Sequence, residues 1–321
     1  MARIKIQMKN NKKKTFDEAY EEFLRYCKVR NLRPATIKHY EDIVSYSFYK
    51  FLDYKFKTYK VETKSINFRL VEDYIIYCKE ETNVKDITIN TNLIGIRTIL
   101  YYFMKLGYTE EFKITPLKID KPIVETYTDI ELKILLERPN MDKCNFLQYR
   151  NWVIVNFLIA TGCRLTTLLN ARMCDLDFEN ELITYKHTKN RKGQIIPMSD
   201  TLKTVLLEYI EFRQSTETED YLFCTAYGKQ ITSNLLSQNL ASYNRKRGVM
   251  KTGIHRFRHT FAKKWIMNGG DIFRLQKILG HSDMAIVKNY VEMFTDDLQR
   301  DFNEFNPLES IKVKDKFIKL K

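Results

Sequence analysis

Four side chains between residues 252 and 294 carry groups that can act together on a phosphate ester. His255 and Arg258 stand three apart, a spacing that puts both on one face of a helix. His281 sits in a Gly-His-Ser-Asp run, and Tyr290 comes nine residues after it. Nine residues make two and a half helical turns, so on one continuous helix these two would point in opposite directions. If they share a site, His281 must lie on the loop before the helix that carries Tyr290, and the Gly-His-Ser-Asp run puts it there. A guanidinium grips two phosphate oxygens through a planar fork. An imidazole can exchange a proton near neutral pH, and a tyrosine hydroxyl can attack phosphorus to form a covalent intermediate. Any one of these residues alone reads as an ordinary polar group on a basic helical domain. Their spacing as a set is what points to chemistry.

The surrounding pattern supplies elements to hold them. Phe257, Phe261 and Trp265 recur every four residues, a stripe that buries one side of the helix bearing His255 and Arg258. Gly269 and Gly270 stop that helix. Asp271 caps a short amphipathic helix that runs through Leu279 and ends at Gly280. Ser282 or Asp283 then opens the helix of Tyr290.

His255-Arg256-Phe257-Arg258-His259-Thr260, then Leu279-Gly280-His281-Ser282, then Tyr290, resemble the C-terminal signature of the tyrosine recombinases, the phage integrase family. That signature is a His-x-x-Arg-His box, a Gly-His box and a nucleophilic tyrosine nine residues later. The family's earlier arginine, in a Thr-Gly-x-Arg turn, is matched by Thr161-Gly162-Cys163-Arg164. Its β-hairpin lysine is best matched by Lys189, which stands in a Thr-Lys step before the turn; Lys186 and Lys192 are alternatives. The likeness runs roughly from Thr15 to Asn306 and is that of a Xer-like or mobile-element integrase.

The resemblance implies site-specific cutting and rejoining of DNA through a 3′-phosphotyrosine. Tyr290 would be the nucleophile, Arg164 and Arg258 would neutralise the non-bridging oxygens, and Lys189 would protonate the departing 5′ hydroxyl. His255 would assist proton transfer and His281 would hydrogen-bond the phosphate, while His259 could contact the site or serve structure. It further implies no metal and no nucleotide cofactor. The partner would be double-stranded DNA, bound by a dimer per site and a tetramer in synapse. The segment after Tyr290, through Phe302 and Phe305, would dock on a neighbouring protomer. One position departs from the pattern: three residues after Arg164 the family often has an acidic residue or glutamine, and here Thr167 stands. The principal alternative is a type IB topoisomerase-like enzyme, which uses a similar residue set. A catalytically inactive DNA-binding relative and a metal-dependent nuclease stand behind it.

Composition agrees with a nucleic-acid partner. Lysine and arginine number 54 against 40 acidic residues, a net charge of +14 that favours a polyanion through steering and counter-ion release. The 321 residues exceed one compact helical domain and predict two, and 44% apolar content suffices for buried cores. Six cysteines at 27, 78, 144, 163, 174 and 224 form no Cys-x-x-Cys pair, so neither disulfides nor a zinc site is expected. The most apolar run, residues 152–160, is too short to span a membrane, and no signal peptide is visible. A soluble cytoplasmic protein is expected.

The predicted class is mainly α with a small antiparallel hairpin, in two domains that form a C-shaped clamp on DNA. Residues 1–14 read as a basic tail, too short for a separate arm-binding domain. Residues 15–108 hold four helices: one capped by Thr15 with Glu18, one from Pro34, one over Ser65–Glu81 and one over Thr88–Leu106. They resemble the family's core-binding (SAM-like) domain. Arg30, Arg33, Lys38, Lys64, Lys85 and Arg97 are its candidate phosphate contacts. Residues 109–126 read as linker. The catalytic domain, 127–306, opens with a capping box at Thr128 and Glu131, followed by helices over 129–137 and 146–160. Strands at Glu181–His187 and Gln194–Met198 flank a basic tip with Arg191 and Lys192. Helices over 199–214 and 232–247, with a short strand at Tyr221–Cys224 between them, complete the scaffold, and Arg245, Lys246 and Arg247 are further DNA candidates. Residues 307–321 form a tail.

Overall fold

The computed structural model describes residues 14–119, 125–186, 193–214 and 217–280. The chain divides into two compact units, Met1–Lys121 and Pro122–Lys321.

The first unit is a helical bundle of α1 (Phe16–Val29), α2 (Pro34–Ile43), α3 (Tyr49–Phe56), α4 (Phe68–Glu80) and α5 (Asp86–Lys105). A π-helical turn over Val44–Phe48 joins α2 to α3. Helix α1 begins where the sequence predicts, because Thr15 and Glu18 each satisfy the other's backbone amide, at 3.3 and 2.9 Å. Helix α4 begins later than predicted. Thr63–Ser65 forms a separate 3₁₀ turn, and the Asn67 side chain accepts from Leu70 N to start α4. The core is aromatic: Phe16 packs on Phe48 and Phe103 at 5.1 and 5.5 Å, and Phe48 meets Tyr74 edge-on. Residues 109–119 lie along this unit. Ile114 is buried in its core, and Leu117 N donates to the Asn90 side chain at 2.9 Å.

The second unit is built around α7 (Phe146–Thr161), whose Val153, Ile154, Val155, Phe157 and Leu158 are wholly buried. Each such side chain contributes about 1.5–3 kcal/mol of burial. Around it stand α6 (Asp129–Leu136), α8 (Leu165–Asn170), α9 (Asp200–Arg213), α10 (Ser233–Lys246), α11 (Ile254–Met267) and α12 (Ile272–Leu279). A three-stranded antiparallel sheet of β1 (Leu176–Asp177), β2 (Leu182–Tyr185) and β3 (Gln194–Pro197) flanks them. Two details differ from the sequence reading. The edge strand β1 is too short to show alternation. Residues 221–224 make only isolated bridges, Tyr221 with Arg172 and Cys224 with Gln230, because each pairs with a different segment.

The entry to the second unit is fastened to α11. Tyr127 N donates to Thr260 Oγ1 at 3.0 Å, and the Tyr127 ring lies 4.6 Å from that of Phe257. Arg256 Nη1 donates to both the backbone and the carboxylate of Glu125, at 3.0 and 2.9 Å. This strap fixes the helix that carries His255 and Arg258. All six cysteines are free. Among the described residues no helix is long and apolar enough to cross a membrane.

Candidate active site

Two arginines predicted from separate motifs meet at one place. Arg164 is the N-cap residue of α8, just after Gly162 ends α7 in a left-handed conformation at φ +59°. Arg258 lies one turn into α11 and is 5% exposed. Arg258 donates from Nη1 to Gly162 O and from Nη2 to Leu279 O, both at 2.8 Å. Arg164 Nη2 donates to Gly280 O at 3.3 Å. The two guanidiniums therefore reach adjacent carbonyls at the end of α12, and one of them also holds the turn that carries the other.

The C-terminus of α12 explains the convergence. The last carbonyls of a helix have no partner within it and carry the negative end of its dipole. Here four successive carbonyls accept from side chains. Arg164 takes Gly280 O, Arg258 takes Leu279 O, and Gln194 Nε2 donates to Lys277 O and Ile278 O, both at 2.6 Å. A carbonyl orients a guanidinium without cancelling its charge. Gly280 closes the helix at φ +61°, and a Cβ there would stand 2.7 Å from Gln194 Oε1 and 3.6 Å from Arg164 Nη1.

Two groups beside Arg258 are held in their neutral forms. Burial pushes the Cys163 thiol up to about 11, and it pushes the Tyr185 phenol well above its ordinary range. His255 is exposed on the same helix. His259 is half-buried, and burial, aided by His255, Arg258 and Arg256, holds it below the usual imidazole value. Thr167, at the position of the departure, is buried. Arg164 donates to the Gly280 carbonyl, and the residue three positions on offers no carboxylate.

Of the three candidate lysines, Lys186 is engaged elsewhere. Its ammonium lies 3.4 Å from the buried Asp175 and 3.3 Å from Cys174 Sγ. Lys189 and Lys192, with Arg191, His281 and Tyr290, lie outside the described residues, as do the basic tail through residue 13 and the segment after Tyr290. The DNA-contact candidates Arg30, Lys38, Lys64, Lys85, Arg245 and Lys246 are exposed, and Arg33, Arg97 and Arg247 partly so. Lys38 pairs with Asp42 at 3.1 Å, and Arg247 stacks over Tyr243 while donating to Ile134 O. Among the described residues no cluster of His, Cys, Asp and Glu is placed to hold a metal. Gln194, Tyr185 and Tyr127 were not identifiable from sequence, since each acts through partners distant along the chain.

Residues 128–296 match the family model described as "Phage integrase family". Tyrosine recombinase XerA of Pyrococcus furiosus is 29% identical over 220 residues, which are 67% of this chain and 74% of that protein. Tyrosine recombinase XerD of Staphylococcus aureus is 29% identical over 198 residues, 59% of this chain and 65% of that protein. Among solved structures, the Tn1549 transposon integrase in complex with a circular intermediate DNA superposes with a TM-score of 0.70 at 19% identity, over 89% of this chain and 99% of that one. XerH site-specific recombinase bound to difH gives 0.66 at 21% identity, over 90% of this chain and 84% of that one. The two likenesses establish a shared fold, and the family match covers just over half of the sequence. The chain belongs to the phage integrase family, the tyrosine recombinases, which cut and rejoin DNA at specific sites.

Proposed function

We propose that the chain carries out site-specific DNA recombination by metal-independent phosphoryl transfer through Tyr290. The observation that carries this reading is the meeting of Arg164 and Arg258 at the end of α12, one residue before His281 in the sequence. Two guanidiniums at one position supply the positive charge that a pentacoordinate phosphate requires.

In the first step Tyr290 Oη attacks the scissile phosphorus. The new O–P bond leaves phosphate joined to the 3′ side, and the bond from phosphorus to the 5′ oxygen breaks. His255 takes the phenol proton, and Lys189 gives one to the departing 5′ hydroxyl. Arg164 and Arg258 hold the non-bridging oxygens, and His281 donates a hydrogen bond to one of them. Attack by a 5′ hydroxyl from a second strand reverses these bond changes and frees Tyr290. Phosphodiester energy is conserved, so no nucleotide cofactor enters. Exchange between two sites requires four such tyrosines, hence a dimer on each site and a tetramer in synapse. The segment beyond Tyr290 would link neighbouring protomers.

The test uses the site that the purified protein selects from random duplexes. A plasmid carrying two copies should give recombinant circles in EDTA. Relaxation of a plasmid that lacks the site, without recombinants, would favour the topoisomerase-like alternative. Loss of product in EDTA would overturn metal independence.

A further inference from the structure

Gln194 is the first residue of β3 and pairs with Tyr185 in the last rung of the β2–β3 ladder. Its backbone belongs to the hairpin, while its amide nitrogen caps Lys277 O and Ile278 O of α12, 83 and 84 residues away. Its Oε1 also stands where a side chain at Gly280 would have to be. The opposite member of the rung, Tyr185, is buried in the shell that contains Cys163 and Arg258. One rung therefore touches both halves of the arginine pair: Tyr185 the side of Arg258, and Gln194 the carbonyl run that receives Arg164 and Arg258.

We propose that Gln194 is a positioning residue: its amide fixes the end of α12 against the hairpin and thereby sets Arg164 and Arg258 on the scissile phosphate. This rests on the reading of those arginines as the ligands of the phosphate. Without the amide donors two of the four carbonyls lose their side-chain partner, and the end of the helix can rotate or fray away from the sheet. Arg164 and Arg258, which hold to the next two carbonyls, would move with it. A displacement near 1 Å at a catalytic group is enough to cost on the order of 10²-fold in rate.

Single-turnover cleavage of a nicked duplex by the full chain tests this, with the natural phosphate and with a methylphosphonate at the scissile position. The methyl group removes one negative oxygen, so that substrate depends less on the arginines. Gln194→Met keeps length and loses the donors, and it should cleave the phosphate about 10- to 100-fold more slowly. Gln194→Arg keeps donors suited to a helix C-terminus and should stay within about threefold of wild type. On the methylphosphonate the deficit of Gln194→Met should shrink to about threefold or less. Equal rates for Gln194→Met and wild type on phosphate, or the same deficit on both substrates, would overturn the proposal. Should Gln194→Met fail to fold, Gln194→Ser is read by the same criteria. Arg164→Ala, run in parallel, separates the two levels. A deficit of Arg164→Ala that does not shrink defeats the phosphate reading and this proposal with it; one that shrinks while that of Gln194→Met does not defeats the positioning role alone.

Discussion

Arg258→Ala is expected to slow covalent cleavage by at least about 10²–10³-fold while leaving DNA affinity within a few-fold. The guanidinium is buried, and two carbonyls 2.8 Å away fix its plane, one on the Gly162 turn and one at Leu279. It is therefore oriented before substrate arrives, the condition under which a charge stabilises a transition state without reorganisation. Lysine should not substitute. An ammonium cannot span both carbonyls and still present a fork to phosphate, so Arg258→Lys should recover less than a tenth of the lost rate on this reading. Single-turnover rates at saturating protein, beside binding isotherms, separate the two effects. A variant that cleaves within about threefold of wild type would remove Arg258 from the chemistry.

Gly162→Ala should destabilise the second unit through both its backbone and its packing. At φ +59° an L-residue costs about 1–2 kcal/mol. The added Cβ would also stand 2.5 and 2.9 Å from the Phe261 ring and 3.0 Å from Leu279 Cδ2. Neither neighbour can withdraw, since Phe261 and Leu279 are themselves buried, and such overpacking adds about 1–3 kcal/mol. The melting temperature should fall by roughly 10 °C. Gly228→Ala is the control. Its φ is +75°, but a Cβ there meets nothing within 4 Å, so the backbone term alone should appear. Equal losses for the two variants would show that the packing against Phe261 and Leu279 does not matter.

The sequence made local features legible and left long-range ones hidden. Both predicted capping boxes form, at Thr15–Glu18 and Thr128–Glu131, because each is a contact between residues three apart. Asp271 and Gly280 bound α12 for the same reason: a cap and a left-handed stop are decided within one turn. The Thr-Gly-x-Arg motif marked Arg164, but nothing near it in the chain says that its partner is Gly280 O, 116 residues on. Thr167 departs from the family pattern close to that arginine in the sequence, whereas the carbonyl the arginine reaches lies at the end of another helix. Gln194 gave no signal at all. A glutamine opening a strand after Gly193 reads as surface, and only the fold brings it to the carbonyls of Lys277 and Ile278. Lys186 is likewise paired with Asp175, eleven residues back in the chain, a contact that the alternation of the strands does not announce.

The most direct measurement is the identity of the amino acid that becomes bonded to DNA. A nicked suicide duplex traps the covalent complex, and digestion followed by mass spectrometry reads which peptide keeps a nucleotide 3′-phosphate. The expected result is a single adduct at Tyr290, absent from Tyr290→Phe protein that still binds the duplex. An adduct at any other residue, or one that persists in Tyr290→Phe, would contradict the assignment of the nucleophile.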